Sequence, residues 1–451
     1  MQKYLVSYDP SNGEVVGKVE ITPVGQIGPI VQDARAAQKE WRKLSVDERI
    51  SYIGRAAKLL EESSTELGKL LSVEMGKDFN RGMGEVRGCA ADAVYRATEV
   101  KEAIKTQKMN GYGVETELQY NPLGVCGIIT PWNYPMSMAH WFIIPALTAG
   151  NTVVLKPSEE TPLIAEAYVE IFNKILPKGV LQIVHGDGEQ GQVLTESEVD
   201  FIGFTGSQKV GKKIMKSASE SLKRLVMELG GNDPLIVLED ADIDRAAGFA
   251  MGSSFENAGQ MCIATERILV DEGIAEKFEE KLEEYSRYYR IGSWQDKNCN
   301  IGPIINKKQR DKILLQINEA IDKGAKVLAG GRNHPEYFIH PTVLTGITED
   351  MLIYREETFG PVACVTRFKT KEAAVRMAND TSYGLGAVVF GERDVEEVAN
   401  QMEAGMVGIN QGIGGAGDTP WVGAKQSGYG YHGSPDGHRQ FTQARVVSKR
   451  K

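Results

Sequence analysis

Two spacings of apolar residues alternate along the chain, and each predicts its own kind of element. Ile27, Ile30, Val31, Ala34, Trp41 and Leu44 recur on one face of a 3.6-residue period, which predicts a helix. The run Tyr8-Asp9-Pro10-Ser11-Asn12-Gly13 before it is turn chemistry, so the first 100 residues read as strand, then helices. Ser45 with Glu48 three residues on is a capping box that opens the next helix. Gly76 is placed to stop the helix that holds Leu67, Leu70 and Leu71. Val114 to Tyr120 alternates in polarity, as a half-exposed strand at a sheet edge or added to a partner's sheet would.

From residue 150 the pattern changes. Thr152–Leu155, Leu181–Val184, Phe201–Phe204 and Leu225–Met227 are short apolar runs, separated by helix-like stretches starting near Thr161, Gly188 and Ser207. Short apolar strands with helical crossovers predict a parallel sheet covered on both faces, a Rossmann-like layer. After Glu228-Leu229-Gly230-Gly231 a second series begins with Leu235–Leu238, Ile268–Val270 and Ala387–Phe390. The fold class expected is therefore α/β, with a second α/β domain over roughly 231–427. A late strand at Arg445-Val446-Val447 and the alternating one near 115 would form a small third β element.

Composition narrows the function classes. Acidic residues outnumber basic ones 61 to 52, for a net charge of −9, which argues against a general nucleic-acid or membrane-surface binder. No apolar run reaches the roughly 18 residues of a membrane span, and Met1 to Leu5 opens no secretory signal. Five scattered cysteines make no disulfide framework and point to the reducing cytoplasm. The six histidines show no paired ligand spacing, so no metal is expected. There is no GxSxG elbow of a serine hydrolase either.

Two glycine patterns compete for a nucleotide. Gly186-Asp187-Gly188-Glu189-Gln190-Gly191 matches GxGxxG after a strand, but no acid stands in Phe201–Ser207, where its ribose partner is expected. A tight turn explains it as well. Gly206-Ser207-Gln208-Lys209-Val210-Gly211-Lys212-Lys213 resembles a P-loop except that Lys213 replaces the magnesium-binding Ser or Thr. That loss counts against phosphoryl transfer and leaves a glycine turn feeding a helix N-terminus, suited to a pyrophosphate. Of the cysteines, only Cys262 has a distinctive setting, in Phe255-Glu256-Asn257-Ala258-Gly259-Gln260-Met261-Cys262-Ile263. It follows a helix-like stretch that begins near Asp242.

This segment resembles the nucleophile motif of the aldehyde dehydrogenase superfamily. So do Thr130-Pro131-Trp132-Asn133-Tyr134-Pro135, Leu155-Lys156-Pro157-Ser158-Glu159, Phe204-Thr205-Gly206-Ser207, Met227-Glu228-Leu229-Gly230-Gly231, Glu356-Glu357-Thr358-Phe359-Gly360-Pro361 and Gly423-Ala424-Lys425-Gln426-Ser427-Gly428. The motifs follow the family's order and cover essentially the whole chain, with an N-terminus shorter than in many members. The resemblance implies a dinucleotide domain over 1–103 and 123–230, a catalytic domain over 231–427, and a bridging element over 104–122 and 428–451. Through that element subunits would pair into a homodimer or homotetramer.

It also implies roles. Cys262 would be the nucleophile, Glu228 the general base, and Asn133 the oxyanion donor together with the Cys262 backbone N–H. Glu228 further implies hydrolysis to the free acid rather than transfer to coenzyme A. Lys156 and Glu159 would meet the adenosine ribose, with Ser158 also binding the cofactor; Glu159 favours NAD, and Lys156 leaves NADP open. Gly188 would lie near adenine and Gly206 and Ser207 near the pyrophosphate. Leu229, Glu357 and Phe359 would locate the nicotinamide half, and Trp132 would be a further cofactor-binding residue. Tyr134, Trp141, Met261 and Trp421 match positions lining the aldehyde tunnel, and Glu256 stands where succinate-semialdehyde members carry an arginine. A carboxylate there would repel an anion, so a neutral or cationic aldehyde is expected, with succinate semialdehyde as the alternative. A catalytically silent NAD-binding protein is the alternative of another class.

Overall fold

The computed structural model describes residues 3–332 and 334–450. The apolar runs become two parallel sheets. Strands β5 (Val125–Ile129), β6 (Thr152–Lys156), β7 (Leu181–Ile183), β8 (Phe201–Thr205) and β9 (Arg224–Glu228) lie parallel in the order β9-β8-β5-β6-β7. Strands β10 (Asp233–Val237), β11 (Thr265–Asp271), β13 (Thr342–Thr345), β14 (Val362–Phe368), β15 (Gly386–Phe390) and β16 (Met406–Ile409) form the second, with β12 (Lys326–Ala329) antiparallel on its edge. The architecture is α/β, and the run-to-strand correspondence holds because strands buried on both faces must be apolar throughout.

Helices cover the first sheet. The expected first helix is α1 (Val24–Trp41), which buries Ile27, Val31, Ala34 and Trp41; Leu44 falls beyond its end. Before it, β1 (Tyr4–Tyr8) and β2 (Val15–Glu20) pair as a hairpin across the turn seen in the sequence. Helix α2 (Val46–Glu62) opens on the Ser45–Glu48 capping box, and α3 (Ser64–Met75) stops at Gly76, whose φ of 90° is left-handed. Next come α4 (Phe79–Ala103), α5 (Pro135–Ala149), α6 (Pro162–Asn173), α7 (Gly188–Glu196), α8 (Gln208–Ser219) and α9 (Ile243–Phe255). Pro145 lies inside α5, which continues through the apolar stretch at 141–149 without a break. This helix sits so close to β8 that a Cβ on Gly203 would stand 2.7 Å from the Phe142 ring.

The alternating segment near 115 is a strand, β4 (Val114–Pro122), but not an edge strand. It lies between β3 (Gln107–Gly111) and β18 (Thr442–Arg450), so both of its backbone edges are already bonded. All nine of its residues are half-buried, so its polarity alternation does not sort into a buried and an exposed face. The closing segment is also divided. Gly428–Tyr429 (β17) pairs antiparallel with β9 of the first parallel sheet, and only β18 joins β4.

Candidate active site

In open α/β sheets ligands gather at the carboxyl ends of the strands. Five of the sequence motifs do so here. Trp132 and Asn133 follow β5; Lys156 ends β6, with Ser158 and Glu159 just beyond; Gly188 opens α7 after β7; Gly206 and Ser207 follow β8; Glu228 ends β9 and Leu229 follows it. Two further loops meet them from the second sheet, one holding Met261 and Cys262 before β11, the other Glu357 and Phe359 before β14.

The junction is tight at two glycines. A Cβ on Gly231 would come within 2.1 Å of the Cys262 carbonyl oxygen, and one on Gly230 within 2.5 Å of Glu357 Oε1. No side chain fits there, so the turn after Glu228 is pressed against both loops. The Gly231 N–H donates to Glu357 Oε1 at 3.0 Å.

Glu228 is buried, and neither of its carboxylate oxygens has a hydrogen-bond partner. Burial alone pushes its carboxyl well above the usual range. The Cys262 thiol is pushed up as well, first by burial and then by the negative charges of Asp233, Glu357 and Glu228. A thiol in that field stays protonated until a nearby group accepts its proton.

Asn133 is buried, and its side-chain Nδ2 donates to the Gln260 carbonyl at 3.0 Å, two residues before Cys262. An amide nitrogen carries two N–H donors, so one remains. The Asn133 carbonyl is held by Lys77 Nζ at 3.0 Å and Asn257 Nδ2 at 3.3 Å. Lys77 in turn pairs with Glu85 at 2.6 Å, both side chains almost wholly buried. The other Glu85 oxygen accepts the first N–H groups of α5, from Met136 at 3.1 Å and Ser137 at 3.0 Å. A carboxylate at a helix N-terminus satisfies donors that have no partner within the helix.

The Glu357–Phe359 loop is clamped in a similar way. Glu266, buried in β11, accepts the N–H of Thr358 at 2.8 Å and of Phe359 at 2.7 Å. Gln309 Nε2 donates to the carbonyls of both residues at 3.0 Å. Phe359 is held at a φ of 55° with its ring edge-on to Trp132, 5.5 Å between centroids. Such a φ is costly for a side chain of this size and persists only where its surroundings fix it.

On the other flank, the Lys156 ammonium is buried and reaches the more exposed Glu159 carboxylate at 3.3 Å. Burial lowers its pKa, and the Glu159 charge opposes that. Ser158 is buried, its hydroxyl accepting the Glu160 N–H at 3.2 Å. The GxGxxG segment is a capped helix start: Asp187 accepts the Glu189 N–H at 2.9 Å, and a Cβ on Gly188 would meet nothing within 4 Å. Ser207 caps α8, whose first residue, Gln208, leaves Nε2 buried and unpartnered. Leu229 packs where a Cβ on Gly211 would come within 2.7 Å of it.

The pocket residues separate into two groups. Trp141 and Trp421 lie tilted against each other, 5.6 Å between ring centroids, and His432 is tilted against Trp141 at 5.3 Å. Tyr134 lies instead against Lys77, 3.9 Å from ammonium to ring centre, and its hydroxyl donates to Glu256 at 3.5 Å. Glu256 is not the bare carboxylate expected, because Arg81 Nη1 stands 3.3 Å from its Oε1.

Sequence reasoning missed Lys77, Arg81, Glu85, Asn257, Glu266 and Gln309. Two signals were present. Glu85 occupies a core-facing position of α4 between Gly82 and Val86, and Glu266 with Arg267 interrupts an apolar strand. A charged residue on a buried face has to be paired, and that could have marked both.

Comparison with known proteins gives this geometry its setting. The chain is 39% identical over 450 residues to a probable succinate-semialdehyde dehydrogenase [NADP(+)] of Sinorhizobium fredii, covering 98% of this chain and 91% of that one. It is 37% identical to a chloroplastic aminoaldehyde dehydrogenase of Arabidopsis thaliana, covering 95% and 89%. Its fold matches the NAD+ complex structure of an aldehyde dehydrogenase from Bacillus cereus with a TM-score of 0.95 at 33% identity, covering 99% and 93%. The model of the aldehyde dehydrogenase family, oxidoreductases that use NAD(P), matches residues 1–447, and the chain belongs to that family.

Proposed function

We propose that the protein oxidises a small aldehyde to the carboxylic acid with NAD, through a thioester on Cys262. The observation that carries this reading is the unpartnered, buried Glu228 carboxylate, whose charge acts on the Cys262 thiol beside the Gly230–Gly231 turn. Glu228 takes the thiol proton, and sulfur adds to the aldehyde carbon. The oxyanion of the thiohemiacetal is held by the second N–H of Asn133 Nδ2 and the backbone N–H of Cys262. Departure of the aldehyde hydrogen as hydride, with the two electrons of its C–H bond, re-forms the carbonyl as the thioester. Glu228 releases the first proton to solvent and then takes one from water, whose oxygen adds to the acyl carbon; the carbon–sulfur bond breaks, the acid leaves, and Glu228 returns its proton to the thiolate.

The residues fit a dinucleotide. The open space at Gly188, the capped start of α8 at Ser207 and the carboxylate of Glu159 beside Lys156 suit adenine, pyrophosphate and ribose hydroxyls in turn. Gly206 would lie at the pyrophosphate, Ser158 at the ribose, and Trp132, Leu229, Glu357 and Phe359 around the nicotinamide half. When bound, the nicotinamide supplies the two-electron acceptor. Glu159 favours NAD, while the Sinorhizobium relative is named for NADP(+), so both cofactors belong in the assay.

Residues 1–103 and 123–230 hold the cofactor in this reading, 231–427 carry the chemistry, and 104–122 with 428–451 pair subunits into a homodimer or homotetramer of the cytoplasm. Tyr134, Trp141 and Trp421, with Met261, favour a neutral or cationic aldehyde. A second reading, succinate semialdehyde, is supported by the Sinorhizobium relative and by Arg81 at the position of the expected anion repulsion. Cys262→Ala is expected to abolish NADH formation while NAD still binds; undiminished NADH formation overturns the assignment. A kcat/KM panel of hexanal, benzaldehyde, 4-aminobutyraldehyde and succinate semialdehyde, run with NAD and NADP, ranks the substrates.

A further inference from the structure

A pocket of about 150 Å³ is walled by Lys77, Arg81, Glu85, Tyr134, Ser137 and Glu256, and the Lys77 of its wall also holds the carbonyl of Asn133. Its charges come in two pairs. Lys77 and Glu85 are sealed from water and committed to the start of α5. Arg81 and Glu256 are different, with 41% and 45% of their side chains still exposed. An ion pair that open contributes little by itself, so an incoming charge competes with it easily.

The guanidinium is nonetheless fixed. Asp78, the residue that caps α4, holds Arg81 Nε at 3.2 Å and leaves the Nη1 edge facing Glu256. The Tyr134 hydroxyl donates to the same Glu256 oxygen, Oε1, at 3.5 Å. The Tyr289 phenol feels both charges as well, Arg81 favouring its ionised form and Glu256 opposing it.

We propose that Arg81 is a specificity-determining residue of the aldehyde pocket, which with Glu256 makes the mouth charge-neutral, so that the enzyme does not sort aldehydes by the charge of their far end. An anionic tail gains Arg81 but meets Glu256. A cationic tail gains Glu256 but meets Arg81. Each residue cancels the selectivity that the other alone would impose, and the two relatives described above are named for substrate classes of these two kinds. The inference rests on Cys262 being the site of the chemistry.

The readout is the ratio of kcat/KM for succinate semialdehyde to that for 4-aminobutyraldehyde. Glu256→Gln removes the carboxylate that faces Arg81 inside the pocket and leaves only Asp78, which does not line it, and raises the ratio about tenfold at low salt; Arg81→Gln lowers it about tenfold. Arg81→Lys keeps the charge but not the fork that spans Asp78 and Glu256, so its ratio falls between those of the unsubstituted enzyme and Arg81→Gln. A ratio unmoved by both neutral variants, or moved the same way by both, overturns the proposal. The unsubstituted enzyme gives a test that needs no variant to fold. Succinate semialdehyde and its uncharged amide are expected within about threefold of each other, and a preference beyond tenfold for either overturns the neutral mouth. Cys262→Ala separates the two levels. If it still forms NADH, the reading of the site fails. If it is dead and the ratios do not respond, only the role of Arg81 fails.

Discussion

The walls of the candidate active site and its floor treat buried carboxylates in opposite ways. In the walls, Glu85 accepts two N–H groups of α5 and an ammonium, and Glu266 accepts the N–H groups of Thr358 and Phe359. On the floor, Glu228 accepts nothing. All three are buried glutamates, so composition and burial do not distinguish them. The difference is whether the backbone around them needs an anion. A satisfied carboxylate fixes a loop, whereas an unsatisfied one is kept at a cost in stability and is free to take a proton. Structure and reactivity are separated here by hydrogen bonds, not by residue type.

The sharpest break of this comparison is removal of Glu228, the proposed proton acceptor. Glu228→Gln is expected to lower kcat by about 10²–10⁴ with no loss of thermal stability, since it removes a buried acid that nothing in the fold uses. A large fall in melting temperature would mean that Glu228 is a wall residue after all.

The converse change acts on folding. Glu85→Ala leaves the Lys77 ammonium buried without its partner and should cost about 3–5 kcal/mol in denaturant unfolding. An unchanged midpoint would show that the Lys77–Glu85 pair does not anchor the start of α5.

Asn133→Ala lies between these extremes. Loss of one oxyanion donor is expected to reduce kcat about 10²–10³-fold, with a smaller effect on the melting temperature. Equal losses in both would place Asn133 with the walls.

Glu266→Ala strips two backbone N–H groups of their acceptor, at about 1–3 kcal/mol each. Because it loosens Glu357 and Phe359, its activity defect should appear in the KM for NAD more than in kcat.

The pH dependence of Glu228 gives the finest distinction. Its carboxyl is raised in the folded protein, so the base form accumulates only above the usual carboxylate range and kcat climbs with pH. Stability moves the other way. The unfolded chain releases this proton near pH 4.3 and the folded one only at higher pH, so the contribution is present at low pH and is lost as pH rises through the folded value. Glu228→Gln should flatten both trends; a wild-type kcat independent of pH from 5 to 9 would show that Glu228 is not the base.

Much of this was legible along the chain wherever the governing interaction is local. The capping box at Ser45 and Glu48 lies within one helical turn, and Gly76 stops its helix through its own backbone angle. Most strands of the two parallel sheets were visible because their central residues are apolar. Position within a sheet was not, since the alternation in β4 is the same whether one edge is bonded or two, and the second partner, β18, comes from the far end of the chain. The motifs named the groups that meet at Cys262, but not the residues that hold those groups in place.

The sequence by itself determined the α/β alternation, the helix boundaries set by caps, and the family, because these depend on periodicity, on neighbours a few residues apart, and on the order of motifs. The tertiary structure alone decided that Lys77 reaches Asn133, that Glu266 holds Phe359, and that Arg81 faces Glu256. Each of these contacts joins residues far apart in the chain, and their geometry follows only once the packed sheets bring them within hydrogen-bonding distance. Glu256 shows the consequence most clearly: read along the chain it is an anion in a pocket, and in the fold it is half of a neutral pair.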